Sequence, residues 1–98
     1  MLASNPYSLR PQPRDIRLAL AHRFRRVRKT AGLTQVVLAE RSGVSLGSLR
    51  RFETTGRVSL MNLTIMADVL GRLQDFEDVF AVNEKLARIE ALLDKEGL

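Results

Sequence analysis

Apolar positions recur at helical spacing along most of the chain, and no stretch alternates with the period of a strand. Leu20, Phe24, Val27 and Ala31 predict a first helix, with Asp15 as its N-cap and Gly32 as its stop. Two shorter helices follow. Over 34–42, Leu38 and Ala39 face a core behind a Thr34 cap, and over 45–55, Leu49 and Phe52 do so behind Ser45, with Gly56 as the end. Gly43 stands in the break between them, where a tight turn needs positive φ. A fourth helix over 59–70 is capped by Ser59, striped by Leu60, Leu63, Ala67 and Leu70, and stopped by Gly71. A short fifth element over 75–80 supplies Phe76, Val79 and Phe80 to close the core. The last segment, 82–95, repeats Val82, Leu86, Ile89 and Leu93, a 4-3-4 spacing that makes a coiled-coil-like seam. The pattern predicts an all-α fold.

The middle of this series stands out. Two short capped helices are joined by a glycine turn, and the second carries Arg50 and Arg51. That is the sequence pattern of a helix-turn-helix. All three prolines fall before residue 14, so 1–14 reads as a flexible arm. Its Arg10 and Arg14 would suit an arm that enters a DNA groove, although a disordered terminus is the simpler reading. The organisation expected is an arm over 1–14, a helical domain over 15–80 and a C-terminal helix over 81–98.

Charge sharpens the picture. Residues 1–74 hold 13 Arg and Lys against 4 Asp and Glu, a net charge of +9. Residues 75–98 hold 3 against 7, a net charge of −4. The basic part coincides with the helix-turn-helix pattern and points to a polyanionic partner. Most of its cations are arginine, whose rigid fork suits phosphates and guanine edges. The chain is 98 residues with no cysteine, which excludes a disulfide framework and a thiolate metal site and fits a reducing cytosol. No apolar run is long enough to span a membrane, and no signal peptide is visible. The one histidine, His22, reads as a surface residue on a polar helix face. Asp75, Glu77 and Asp78 read as a helix N-terminus complementing its dipole rather than a metal site. The chain is therefore expected to be no enzyme, with neither metal nor other cofactor.

From Arg28 onward the chain resembles the Cro-like, XRE-type helix-turn-helix domains, with their lambda-repressor-like fold of five short helices. The features that carry the resemblance are Arg28, the run Gly32-Leu33-Thr34-Gln35, Leu38-Ala39-Glu40, Gly43-Val44-Ser45, Leu49, Phe52-Glu53, Leu60, Leu63, Ala67 and Leu70-Gly71. The register holds without a gap from Arg28 to Phe52. The resemblance implies a five-helix domain with an extra C-terminal helix. It implies that Ser45 opens the recognition helix and that Leu46, Gly47, Ser48 and Arg51 face base edges. Gln35, Arg25, Arg26, Ser45, Arg50, Arg57 and Asn62 would contact the DNA backbone. Arg28 and Glu53 would form an internal ion pair tying the first helix to the recognition helix.

The chain departs from the family pattern in places. Leu46 and Gly47 replace the polar side chains common at base-reading positions, so direct readout would rest on Ser48 and Arg51, with DNA shape filling in. Val36 and Val37 stand where charged residues are usual, and Thr34 lacks an acidic residue three positions on, leaving its capping box incomplete. Residues 72–80 resemble, more weakly, the closing segment of antitoxin-type proteins of the HipB-like group.

The functional expectation is a cytoplasmic, nucleoid-associated homodimeric regulator, a repressor of transcription. It would bind double-stranded DNA at a palindromic operator and dimerise through Val82, Leu86, Ile89 and Leu93. An alternative is an antitoxin that represses its own operon and binds a toxin protein. A third reading, a protein-interaction domain that keeps the fold without binding DNA, sits poorly with the +9 charge.

Overall fold

A computed structural model describes residues 10–95. Residues 1–9 of the expected arm, and 96–98 of the terminal segment, lie outside the described residues. The described chain forms five α-helices and one 3-10 helix, with no strand among the described residues: α1 (Pro13–Thr30), α2 (Gln35–Ser42), α3 (Leu46–Thr55), α4 (Leu60–Val69), the 3-10 helix (Leu73–Phe76) and α5 (Glu84–Lys95).

α1 begins inside the stretch expected to be an arm. Gln12, not Asp15, is its N-cap, and Pro13 occupies the first helical position. A proline is at home there, because its fixed φ suits the helix and its missing N–H has no partner to lose. Asp15 sits three positions past the cap and accepts the Gln12 N–H at 3.1 Å, one half of a capping box. Ala21, Phe24 and Arg28 are buried, while Ala31 is exposed beyond the last turn.

α2, α3 and α4 open on Thr34, Ser45 and Ser59. Each hydroxyl accepts the backbone N–H three residues on, at 3.0–3.1 Å. α2 and α3 end on Gly43 and Gly56, both in the left-handed conformation. Gly56 is under a second constraint. A Cβ there would lie 2.8 Å from the carbonyl carbon of Arg17, so α1 and the end of α3 approach backbone to backbone.

The core is built from Ala21, Phe24, Leu38, Ala39, Val44, Leu49, Phe52, Leu63 and Met66. The rings of Phe24 and Phe52 meet edge to face at 5.1 Å, locking α1 to α3. In α4 the buried face is Leu63, Met66 and Ala67, whereas Leu60 is 70% exposed. α4 carries apolar side chains around most of its circumference, so spacing alone does not select its inner face.

The chain after α4 also differs from expectation. The short element is a 3-10 helix over Leu73–Phe76, and of its expected core residues Phe76 alone packs inward. Val79 is 56% and Phe80 98% exposed, and Phe80 takes a left-handed backbone that turns the chain away. α5 is capped by Asn83, whose side chain accepts the Leu86 N–H at 3.0 Å. Val82 therefore lies just outside the helix rather than on its seam. α5 buries none of its residues. The radius of gyration is 18.4 Å, against about 13 Å for a compact chain of this length, as a projecting terminal helix requires.

Candidate nucleic-acid interface

The basic unit is organised around one ion pair inside the fold. Glu53 Oε2 lies 2.7 Å from Arg28 Nε, and Arg28 Nη2 donates to Glu53 Oε1 at 2.8 Å. The side chains are only 6% and 3% exposed. Arg28 Nη1 donates to the Leu33 carbonyl at 2.9 Å, so the same guanidinium also fixes the turn that leads into α2. Among the described residues no buried side-chain polar atom lacks a partner. A two-point pair of this kind sets angle as well as distance between α1 and α3.

Gln35 extends the network outward. Its amide nitrogen donates to Glu53 Oε1 at 3.0 Å, and its carbonyl oxygen accepts from Arg50 Nε at 3.4 Å. Arg50 is exposed on α3 and is held towards the start of α2 by this contact. The side chain assigned to DNA phosphate from sequence is thus engaged within the protein, and the N-terminal amides of α2 remain to face an anion.

The outer edge of α3 carries the remaining positions. Gly47 is exposed, and a Cβ there would meet nothing within 4 Å. Leu46 is half-buried against the core, which leaves only part of its side chain outward. Ser48 is hydrogen-bonded through its hydroxyl to Ser45 at 2.8 Å. Arg51 is exposed and lines a shallow cleft of about 280 Å³ with Ser48, Arg57, Val58, Ser59 and Asn62. The cleft joins α3 to the capped start of α4. Thr55 closes the intervening turn, donating to the Arg51 carbonyl at 2.7 Å and accepting the Arg57 N–H at 3.2 Å.

The α1 arginines are placed differently. Arg26 lines a separate, larger cleft between α1, α4 and the 3-10 helix, together with Arg23 and Arg72, and Arg25 lines neither cleft. Arg26 thus lies at a different cleft from Arg51. Two contributors were not foreseen from sequence: Arg17, whose backbone is the seat for Gly56, and Val44, buried in the turn between α2 and α3. A hydrophobic residue directly after a turn glycine was the available signal for Val44. The acidic residues Asp75, Glu77 and Asp78 do not converge; Asp75 pairs with Arg72 at 2.8 Å on the surface. His22 is exposed on α1.

Among the described residues no helix is long and apolar enough to cross a membrane. A family model described as a helix-turn-helix domain matches residues 19–78, which is more than half of the chain. Comparison with curated proteins and with solved structures gave no match. With α2, the Gly43 turn and α3 inside the matched segment, the chain belongs to the helix-turn-helix domain family, in its Cro-like, XRE-type form.

Proposed function

We propose that this protein is a sequence-specific regulator of transcription, a repressor, that binds double-stranded DNA as a homodimer with α3 in the major groove. The observation that carries this reading is the edge of α3. Gly47 leaves room for close approach, Arg51 stands free beside Ser48, and Arg57 and Asn62 flank them at the start of α4. Arg51 is the side chain for guanine, whose two acceptors its fork matches. Ser45, Arg50, Arg57, Asn62 and the amides at the start of α2 supply phosphate contacts, which set register and orientation. The network from Arg28 through Glu53 and Gln35 holds α3 and Arg50 in place before DNA arrives.

A second copy supplies the second half-site. α5 is a 12-residue helix with no buried residue, a length marginal in isolation, and its apolar positions call for a partner. Dimerisation through α5 gives a palindromic operator with half-sites ~34 Å apart. The test is selection from random duplex DNA. The recovered sites should share an inverted repeat at that spacing, and a pool that shows no enrichment would overturn the reading.

An antitoxin role is the second reading, favoured by the exposed seam of α5 and the acidic segment from Asp75 onward. A stoichiometric complex with the product of a neighbouring gene, formed alongside operator binding, would establish it.

A further inference from the structure

α5 carries information about how two copies meet. Its apolar side chains Leu86, Ile89, Leu92 and Leu93 are 52%, 47%, 58% and 44% exposed, and none is buried. In heptad terms Leu86 and Leu93 fall at the a position and Ile89 at d, from the 3-4 spacing between them. That register places Lys85 at g and Glu90 at e, the two positions that flank a coiled-coil seam. Neither has a charged partner among the described residues. The other acid–base pair of the helix, Glu84 with Arg88 at 4.0 Å, lies on the outer face and is satisfied internally.

The spacing of the two unpaired charges decides the geometry. In a parallel, in-register pair each g residue faces the e residue five positions on in the other helix. Lys85 and Glu90 are five apart, so a second copy brings Lys85 against Glu90 twice, once on each side of the seam. In an antiparallel pair g faces g and e faces e. Lys85 would then meet Leu92, and Glu90 would meet Asn83, with no ion pair formed.

We infer that α5 pairs with α5 of a second copy in parallel and in register, its apolar seam flanked by two Lys85–Glu90 ion pairs between copies. The inference rests on the homodimer reading above and adds its orientation. The coil then lies along the two-fold axis, and α5 itself is neutral, with three acidic and three basic residues. Leucine at a with isoleucine at d shifts the preference from two strands towards three or four, and in a parallel bundle each g position still faces a neighbouring e. The charged pair is therefore the same at each of these copy numbers.

The test uses the full chain and its lack of cysteine. Association is measured by sedimentation for the parent, Lys85→Glu, Glu90→Lys and the double exchange. In parallel, each single variant should weaken association roughly tenfold by setting like charges opposite, and the double should restore it. Val82→Cys provides the second readout, because Val82 lies just before the helix and its replacement leaves the seam intact. Under mild oxidation this variant should form a disulfide between copies, whereas antiparallel partners would hold the two thiols ~16 Å apart along the coil. Association that ignores both single exchanges and leaves Val82→Cys reduced would overturn the parallel arrangement while leaving the homodimer standing. A parent chain that remains a single copy at all concentrations would remove the homodimer reading itself.

Discussion

Arg28 shows how much a single side chain can organise. A buried guanidinium is costly unless its donors are met, and here Glu53 and the Leu33 carbonyl meet them. Glu53→Ala leaves that charge unpaired, and denaturant unfolding should show a loss of about 3 kcal/mol. The two turn glycines should behave differently from each other. Gly43→Ala places a Cβ in open space at positive φ, a strain of roughly 1–2 kcal/mol. Gly56→Ala adds a 2.8 Å clash with the backbone of Arg17, which no side-chain rotation relieves. Its loss of stability should exceed that of Gly43→Ala, and equal losses would show that α1 can move aside. At the α3 edge, Leu46 and Gly47 offer no hydrogen bonds to bases, so discrimination concentrates on Arg51 and Ser48.

At the scale of elements, the helix-turn-helix and the tail obey different physics. The buried core residues all lie between Ala21 and Ala67. Truncation after Phe80 should therefore leave the helical domain folded, with far-UV circular dichroism and cooperative unfolding retained, while abolishing self-association. A truncated chain that self-associates as strongly as the parent would place the dimer interface elsewhere. The same contrast explains what could be read in the sequence. α2 and α3 were legible because hydroxyl caps, glycine stops and two or three apolar positions all agree. The Arg28–Glu53 tie was legible only through the family register, since 25 positions separate its members. The inner face of α4 was legible at Leu63, Ala67 and Leu70 but not at Leu60 and Met66, because α4 is apolar around most of its circumference and burial depends on what packs beneath it. α1 starts at Pro13 and not after Asp15, because proline within a helix and proline at its first position look alike in sequence until the cap is known. The backbone role of Arg25 and Arg26 comes from the family resemblance and the basic face of α1, and charge alone does not say which side of α1 a residue occupies. The position of Phe80 follows from its left-handed backbone, which no local sequence feature announces.

For the whole molecule, the basic surplus of residues 1–74 is the feature that suits a polyanionic partner. The acidic excess stays beside it at Asp75, Glu77 and Asp78, where Asp75 pairs with Arg72, whereas α5 holds three acidic and three basic residues. Binding to random duplex should fall steeply with salt. About six phosphate contacts correspond to a loss of ~10³-fold between 50 and 200 mM. A flat salt dependence would contradict a phosphate-anchored interface. Whether α3 reads sequence through Arg51 while other residues grip the backbone is decided by comparing two affinities. The parent and Arg51→Ala are titrated, at one salt concentration, against the selected operator and against a random duplex. Arg51→Ala should weaken operator binding by about 1–3 kcal/mol and leave random-duplex binding nearly unchanged. Equal weakening on both duplexes would make Arg51 a phosphate contact and contradict the assignment of α3 as the reading element.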